Sequence, residues 1–121
     1  MEKIKIENYL GKKIICLNFS GLKSLEEISK VIEEAKPVIR NSEQNSVYVL
    51  SNIEEMHFNN KIRDMFTEFT GGNKVYVKAS AIIGATGLQS FVINAINKLA
   101  GRQLKSFSDA TSAKDWLASQ N

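Results

Sequence analysis

The sequence predicts one α/β domain spanning residues 1–121, with element order ββαβαβαβα. Its five-stranded sheet is expected to be mostly parallel, with four helices mainly on one face. Three observations lead there. Short β-branched runs alternate with segments whose apolar residues recur at helical spacing. Glycine or a capping residue stands at most of the junctions between them. The composition, 43% hydrophobic and 24% charged in 121 residues, is that of an ordinary globular chain with a genuine core.

Residues 3–7 and 13–19 read as strands, and residues 8–12, with Gly11 among them, join them in a hairpin with a turn of about five residues. Ser24 and Glu27 have the spacing of a capping box, in which the hydroxyl takes one free amide and the carboxylate another. Leu25, Ile28, Ile32, Ala35 and Ile39 then mark a helix. Pro37 either ends that helix near Lys36 or kinks it, since proline brings no amide proton and crowds the preceding turn. Residues 47–50 form the third strand. Asn59 or Asn60 caps a second helix with the apolar face Ile62, Met65, Phe66 and Phe69, and Gly71 with Gly72 stops it, leaving its far end free to move.

Residues 75–83 are a fourth strand, with Val75, Val77, Ala79 and Ala81 on one face and Tyr76, Lys78 and Ser80 on the other. A strand covered on both faces tends to be apolar throughout. The alternation therefore leaves Tyr48, Tyr76 and Lys78 near an open face. Gly84 to Gly87 turn into a third helix, where Thr86 and Gln89 repeat the capping-box spacing. Its expected buried stripe is Leu88, Phe91, Val92, Ala95, Ile96 and Leu99. Gly101 ends that helix, residues 104–107 form the last strand, and Asp109 caps a final helix burying Ala113, Trp116 and Leu117.

Several classes of function lose support at once. Cys16 is the single cysteine, so no internal disulfide is expected. Residues 1–6 alternate polar and apolar, unlike a signal peptide, and no apolar run reaches the about 18 residues of a membrane span. A cytoplasmic protein is the expectation. Net charge is +3, but Lys and Arg are interleaved with acids, as at Glu26, Glu27, Lys30, Glu33 and Glu34, so no nucleic-acid face is expected.

Catalysis is not expected either. His57 is the single histidine and stands in a polar turn, so any nucleophile–base pair would have to use it. Glu54, Glu55 and His57 lack the spacing of a metal site, and no cofactor fingerprint is present. The loop at Gly84–Ala85–Thr86–Gly87 could present amides to an anion, but a tight turn needs the same glycines.

Residues 79–88, Ala-Ser-Ala-Ile-Ile-Gly-Ala-Thr-Gly-Leu, resemble the strand-to-helix junction of SpoIIAA-like proteins of the STAS superfamily. Leu104, Phe107, Ala113, Trp116 and Leu117 are similar to that family's closing strand and helix. The likeness rests on residues 75–117, and the element order of the whole chain agrees. It implies βα units wound in succession, beginning with one antiparallel strand. In the anti-sigma-factor antagonists of the superfamily a serine at the start of the second helix is phosphorylated. The matching positions are Asn59 and Asn60, which accept no phosphoryl group, although Ser51 is close in sequence. Other SpoIIAA-like proteins look like binders of apolar ligands or of membrane surfaces.

The resulting expectation is a non-enzymatic binding module for a small lipophilic ligand or a membrane-associated molecule. Its site lies between the N-terminal ends of the second and third helices. Asn59, Asn60, Thr86 and Gly87 would supply polar contacts, and Phe66, Phe69 and Phe91 the apolar wall. The rival expectation is a regulatory domain that binds a protein partner, with Tyr48, Tyr76 and Lys78 as an interface through which the chain could form a homodimer.

Overall fold

A computed structural model describes residues 2–120. Strand β1 (Ile4–Tyr9) pairs antiparallel with β2 (Lys12–Asn18), and then α1 (Leu25–Arg40), β3 (Val47–Asn52), α2 (Asn60–Asn73), β4 (Val77–Ile83), α3 (Leu88–Ala100), β5 (Lys105–Phe107) and α4 (Ala110–Ser119) follow. The sheet order is β1-β2-β3-β4-β5, with β2 to β5 parallel. The α/β class, the element order and the single antiparallel pair are as the sequence predicts. No helix among the described residues is long and apolar enough to cross a membrane.

The hairpin turn is tighter than expected. Tyr9 pairs directly with Lys12, leaving Leu10 and Gly11 as a two-residue turn with positive φ at both, the geometry that matches strand twist. Ser24 closes its capping box: its Oγ accepts from Glu27 N at 3.1 Å, and the Glu27 carboxylate accepts from Ser24 N. Helix α1 continues past Pro37 to Arg40. Its buried stripe is Ile28, Val31, Ile32, Ala35 and Ile39, with Leu25 left at the surface.

Helices α1, α2 and α3 cover one face of the sheet, where Ile28, Ile32, Phe66, Phe69, Ile93 and Ile96 pack on Leu17, Val49, Val77 and Ile82. Helix α4 covers part of the other, where Ala113 and Leu117 pack on Ile14, Tyr48, Leu50, Ala79 and Ala81. One irregularity sets which side chain faces which layer. Val47 pairs with Val77 but Tyr48 pairs with Ala79, so β4 carries one extra residue, Lys78. The bulge moves Ala79 and Ala81 to the face opposite Val77, contrary to the continuous alternation expected from residues 75–81.

Gly71 and Gly72 do not stop α2, which runs through them to Asn73. They permit close approach instead. Gly71 packs against Ala100 of α3, and a Cβ on Gly72 would overlap the Arg40 guanidinium. Arg40 donates from Nε to Asn73 Oδ1 at 3.0 Å, and Arg102 donates from Nη1 to Thr70 O at 2.6 Å. The far end of α2 is therefore tied to its neighbours rather than free.

Gly84 has the opposite end of the layer in its charge. It adopts φ +86°, and a Cβ there would stand 2.6 Å from Glu54 N. Gly84→Ala should lower stability by about 3 kcal/mol, combining left-handed strain with a backbone clash. Urea unfolding measures it, and a loss below about 1 kcal/mol would contradict this packing.

Candidate functional site

The N-terminal ends of α2 and α3 meet through the connection between β3 and α2. Ile53 N donates to Ile83 O at 2.9 Å, continuing the sheet ladder beyond β3. Gln89, in the first turn of α3, reaches across with its amide and donates to Ile53 O at 3.1 Å and Met56 O at 2.9 Å. Its Oε1 accepts from Thr86 N at 3.2 Å. Only half of the expected capping box forms, because the N-cap is Gly87 and no side chain caps the helix. At α2 the cap is the expected one: Asn59 Oδ1 accepts from Ile62 N at 2.8 Å.

Between these helices lies an open groove of about 230 Å³, with Phe58, Leu88, Phe91, Val92 and Ala95 as its apolar lining and Asn59, Asn60 and Arg63 at its polar rim. Of the seven residues that the sequence suggested for a ligand, Asn59, Asn60 and Phe91 line this groove. Thr86 and Gly87 are exposed in the turn before α3 but lie outside the lining. Phe66 and Phe69 are buried in the core instead. Phe66 meets Phe19 edge-on at 5.0 Å, and Phe58 and Phe69 pack against it at 5.9 and 6.3 Å. The aromatic face of α2 is consumed in packing, and the interior there keeps a void of only about 20 Å³. That is room for a water, not for a lipophile.

Helix α3 departs most from expectation. Its buried residues are Ile93 and Ile96, whereas Leu88, Phe91 and Leu99 are 71%, 73% and 64% exposed. Eight of the thirteen residues of α3 are apolar, more than one buried face can use, and the two isoleucines with Gln89 turn inward. The remaining row, Leu88, Phe91, Ala95 and Leu99, has the spacing of one helical stripe and faces outward. No acidic residue occurs in α3.

The tyrosine face does not form. Tyr48 is 6% exposed beneath α4, and its hydroxyl donates to Gln120 O at 2.9 Å. Tyr76 packs against the opposite layer, and Lys78 is half-buried at the bulge. The period that made the three look like neighbours fails twice, because Tyr76 lies in the turn before β4 and Lys78 is the bulged residue. Ser51 is buried in β3, out of reach of a modifying enzyme. His57 is exposed in the β3–α2 connection, and among the described residues no three His, Cys, Asp or Glu side chains gather as a metal site would require.

Arg63, which the sequence did not single out, and Ala95, expected in the buried stripe of α3, also line the groove. Each lies one helical turn beyond a residue suggested for the ligand, Asn59 and Phe91, and that i+4 relation was the available signal. Comparison of the chain with family models, with curated proteins and with solved structures finds no match.

Two substitutions separate core from surface. Phe66→Ala should cost about 3–5 kcal/mol, whereas Phe91→Ala should change stability by less than about 0.5 kcal/mol. Denaturant unfolding of both variants checks this, and a large loss at Phe91 would mean that the outer row of α3 is covered within the monomer.

Proposed function

We propose that the protein is a non-catalytic, SpoIIAA-like cytoplasmic binding module that docks an amphipathic helix of a partner protein across α2 and α3. The observation that carries this reading is the exposed row Leu88, Phe91 and Leu99 beside the groove lined by Phe58 and Val92. Large apolar side chains lined up on one helix mark an interaction surface far more often than scattered single ones do. A ridge beside a groove accepts a helix whose anchors recur every three or four residues.

The charge around the row narrows the partner. Lys98 lies in the last turn of α3, and Lys61 and Arg63 lie in the first turns of α2. Arg63 is engaged by Asp64 at 2.9 Å, which leaves Lys61 and Lys98 without an ion pair among the described residues. A partner helix carrying acidic residues beside its apolar anchors would complement them, raising the association rate and fixing register. The SpoIIAA-like assignment rests on the element order and on residues 79–88 and 104–117, and the regulatory role on that resemblance. Asn59 and Asn60 stand where the phosphorylated serine of the antagonists would be, so docking here would be constitutive rather than phosphate-gated.

A small lipophilic ligand is the second reading. It is favoured by the amide rim of Asn59 and Asn60 over the apolar groove, which at about 230 Å³ would hold a short chain but enclose little of it.

A photo-crosslinking amino acid placed at Phe91 or at Leu99, in the cell that makes the protein, distinguishes these. The expected result is one protein adduct from both positions, abolished by Leu88→Asp, and none from Leu10 on the distant hairpin. A lipid adduct would support the second reading. Equal labelling from Leu10 would overturn both.

A further inference from the structure

The carboxyl end of the sheet carries a second cleft, on the face that α4 only partly covers, and nothing in the docking reading uses it. Period-two alternation places Lys3, Lys5 and Glu7 of the first strand and its approach on this face, beside Ile14, Cys16 and Asn18 of β2 and Tyr48, Leu50 and Asn52 of β3. Helix α4 packs on Ile14, Tyr48 and Leu50, with Ile83 partly buried at the cluster's edge, and its Ala110 and Lys114 form one wall of the space beyond. What remains open is a cleft of about 250 Å³ whose floor is Cys16, Leu50 and Ile83. Asn18 and Asn52 are register partners across the β2–β3 ladder, and Asn52 is in turn the partner of Ile83.

Both asparagines have their amide orientation fixed. Asn18 Oδ1 accepts from Ser20 N at 3.0 Å and from Ser20 Oγ at 2.6 Å. Asn52 Oδ1 accepts from Glu54 N at 3.0 Å. With each oxygen engaged by the backbone two residues on, each Nδ2 is left with its donors free, and neither has a partner among the described residues. Neighbouring strands stand about 4.8 Å apart, so the two amides are side by side within the span of one small ligand.

The charges are few and nearly matched. Lys114 donates to Glu7 Oε2 at 2.8 Å, which holds that carboxyl below its ordinary range and withdraws both groups from other partners. Glu2, Lys3 and Lys5 complete the charged lining, so three lysines against two glutamates leave one net positive charge there. Burial pushes the Cys16 thiol up, so the floor stays neutral. Ligands of open α/β sheets characteristically bind outside the carboxyl ends of the strands.

We infer that this cleft binds a small organic monocarboxylate, its oxygens taken by the Asn18 and Asn52 amides and the Lys5 ammonium and its short apolar tail laid on Leu50 and Ile83. Two free amide donors beside lysines that outnumber the glutamates select an anion, a single net charge selects a monoanion, and the volume limits the tail to a few carbons. The inference does not depend on the α2–α3 surface, which lies on the other face of the sheet.

Titration of the full-length, isotope-labelled protein with butyrate at constant ionic strength tests it, read at the side-chain amide signals of Asn18 and Asn52. Saturating shifts at both amides are expected with butyrate and not with uncharged butyramide. Lys5→Gln, at an exposed position, should weaken binding by about tenfold or more, the scale of a charge-assisted hydrogen bond. Asn52→Leu should abolish the response at Asn18 as well; should that variant unfold, Lys5→Gln carries the test alone. Shifts that never saturate, an equal response to butyramide, or an affinity untouched by Lys5→Gln would each overturn the inference.

Discussion

A sheet wound on one side only must find cover for its second face elsewhere. Here each connection between successive parallel strands passes through a helix, and α1, α2 and α3 all lie over the same face. The second face is left to α4, a ten-residue helix that spans about 15 Å. That helix buries Ile14, Tyr48, Leu50, Ala79 and Ala81 but leaves Ile83 and Cys16 only partly covered. The open cleft at the strand ends and the filled core beneath α2 are two consequences of the same winding. Its upkeep falls on a few tight contacts: Gly84 against Glu54, Gly72 against Arg40, and the Gln89 amide bridging to Ile53 and Met56.

The fold was legible because its signals were local and redundant. The Ser24–Glu27 box, the Asn59 and Asp109 caps and the β-branched runs at residues 47–50 and 75–83 each fix an element with neighbouring residues alone. What could not be read depended on contacts between elements. A glycine pair looks the same whether it ends a helix or lets another side chain cross it, and only Arg40, more than thirty positions away in sequence, decides between them. The bulge at Lys78 is set by pairing with β3, and a one-residue slip sends every later side chain to the other face. Tyr48 and Tyr76 were assigned to one face by unbroken alternation, but Tyr76 lies in the turn before β4, where strand alternation does not hold.

The candidate site was partly legible for a related reason. Asn59, Asn60 and Phe91 belong to a groove because capped helix starts in adjacent βα units must lie at the same edge of the sheet. Phe66 and Phe69 do not, because a helix lying against a sheet spends its aromatic residues on the core first. Helix α3 has more apolar residues than one buried face can use. Periodicity fits either of two overlapping stripes, and packing selects the one led by Ile93 and Ile96. The leftover stripe is the more informative one, since burying Leu88, Phe91 and Leu99 would remove from water a surface that the monomer leaves wet. The strand-end asparagines gave no sequence signal of their own; their pairing exists only once β2 and β3 are in register.

The orientation of α3 is thus the point on which the docking account stands. Single cysteines placed at Phe91 and at Ile96, in a chain whose half-buried Cys16 is replaced by serine, measure it directly through their rates of thiol labelling under native conditions. The cysteine at 91 should react as fast as an unstructured thiol, and the one at 96 only through unfolding. Slow labelling at 91 with rapid labelling at 96 would turn the helix over, place Leu88 and Leu99 in the core, and leave no apolar ridge to dock on.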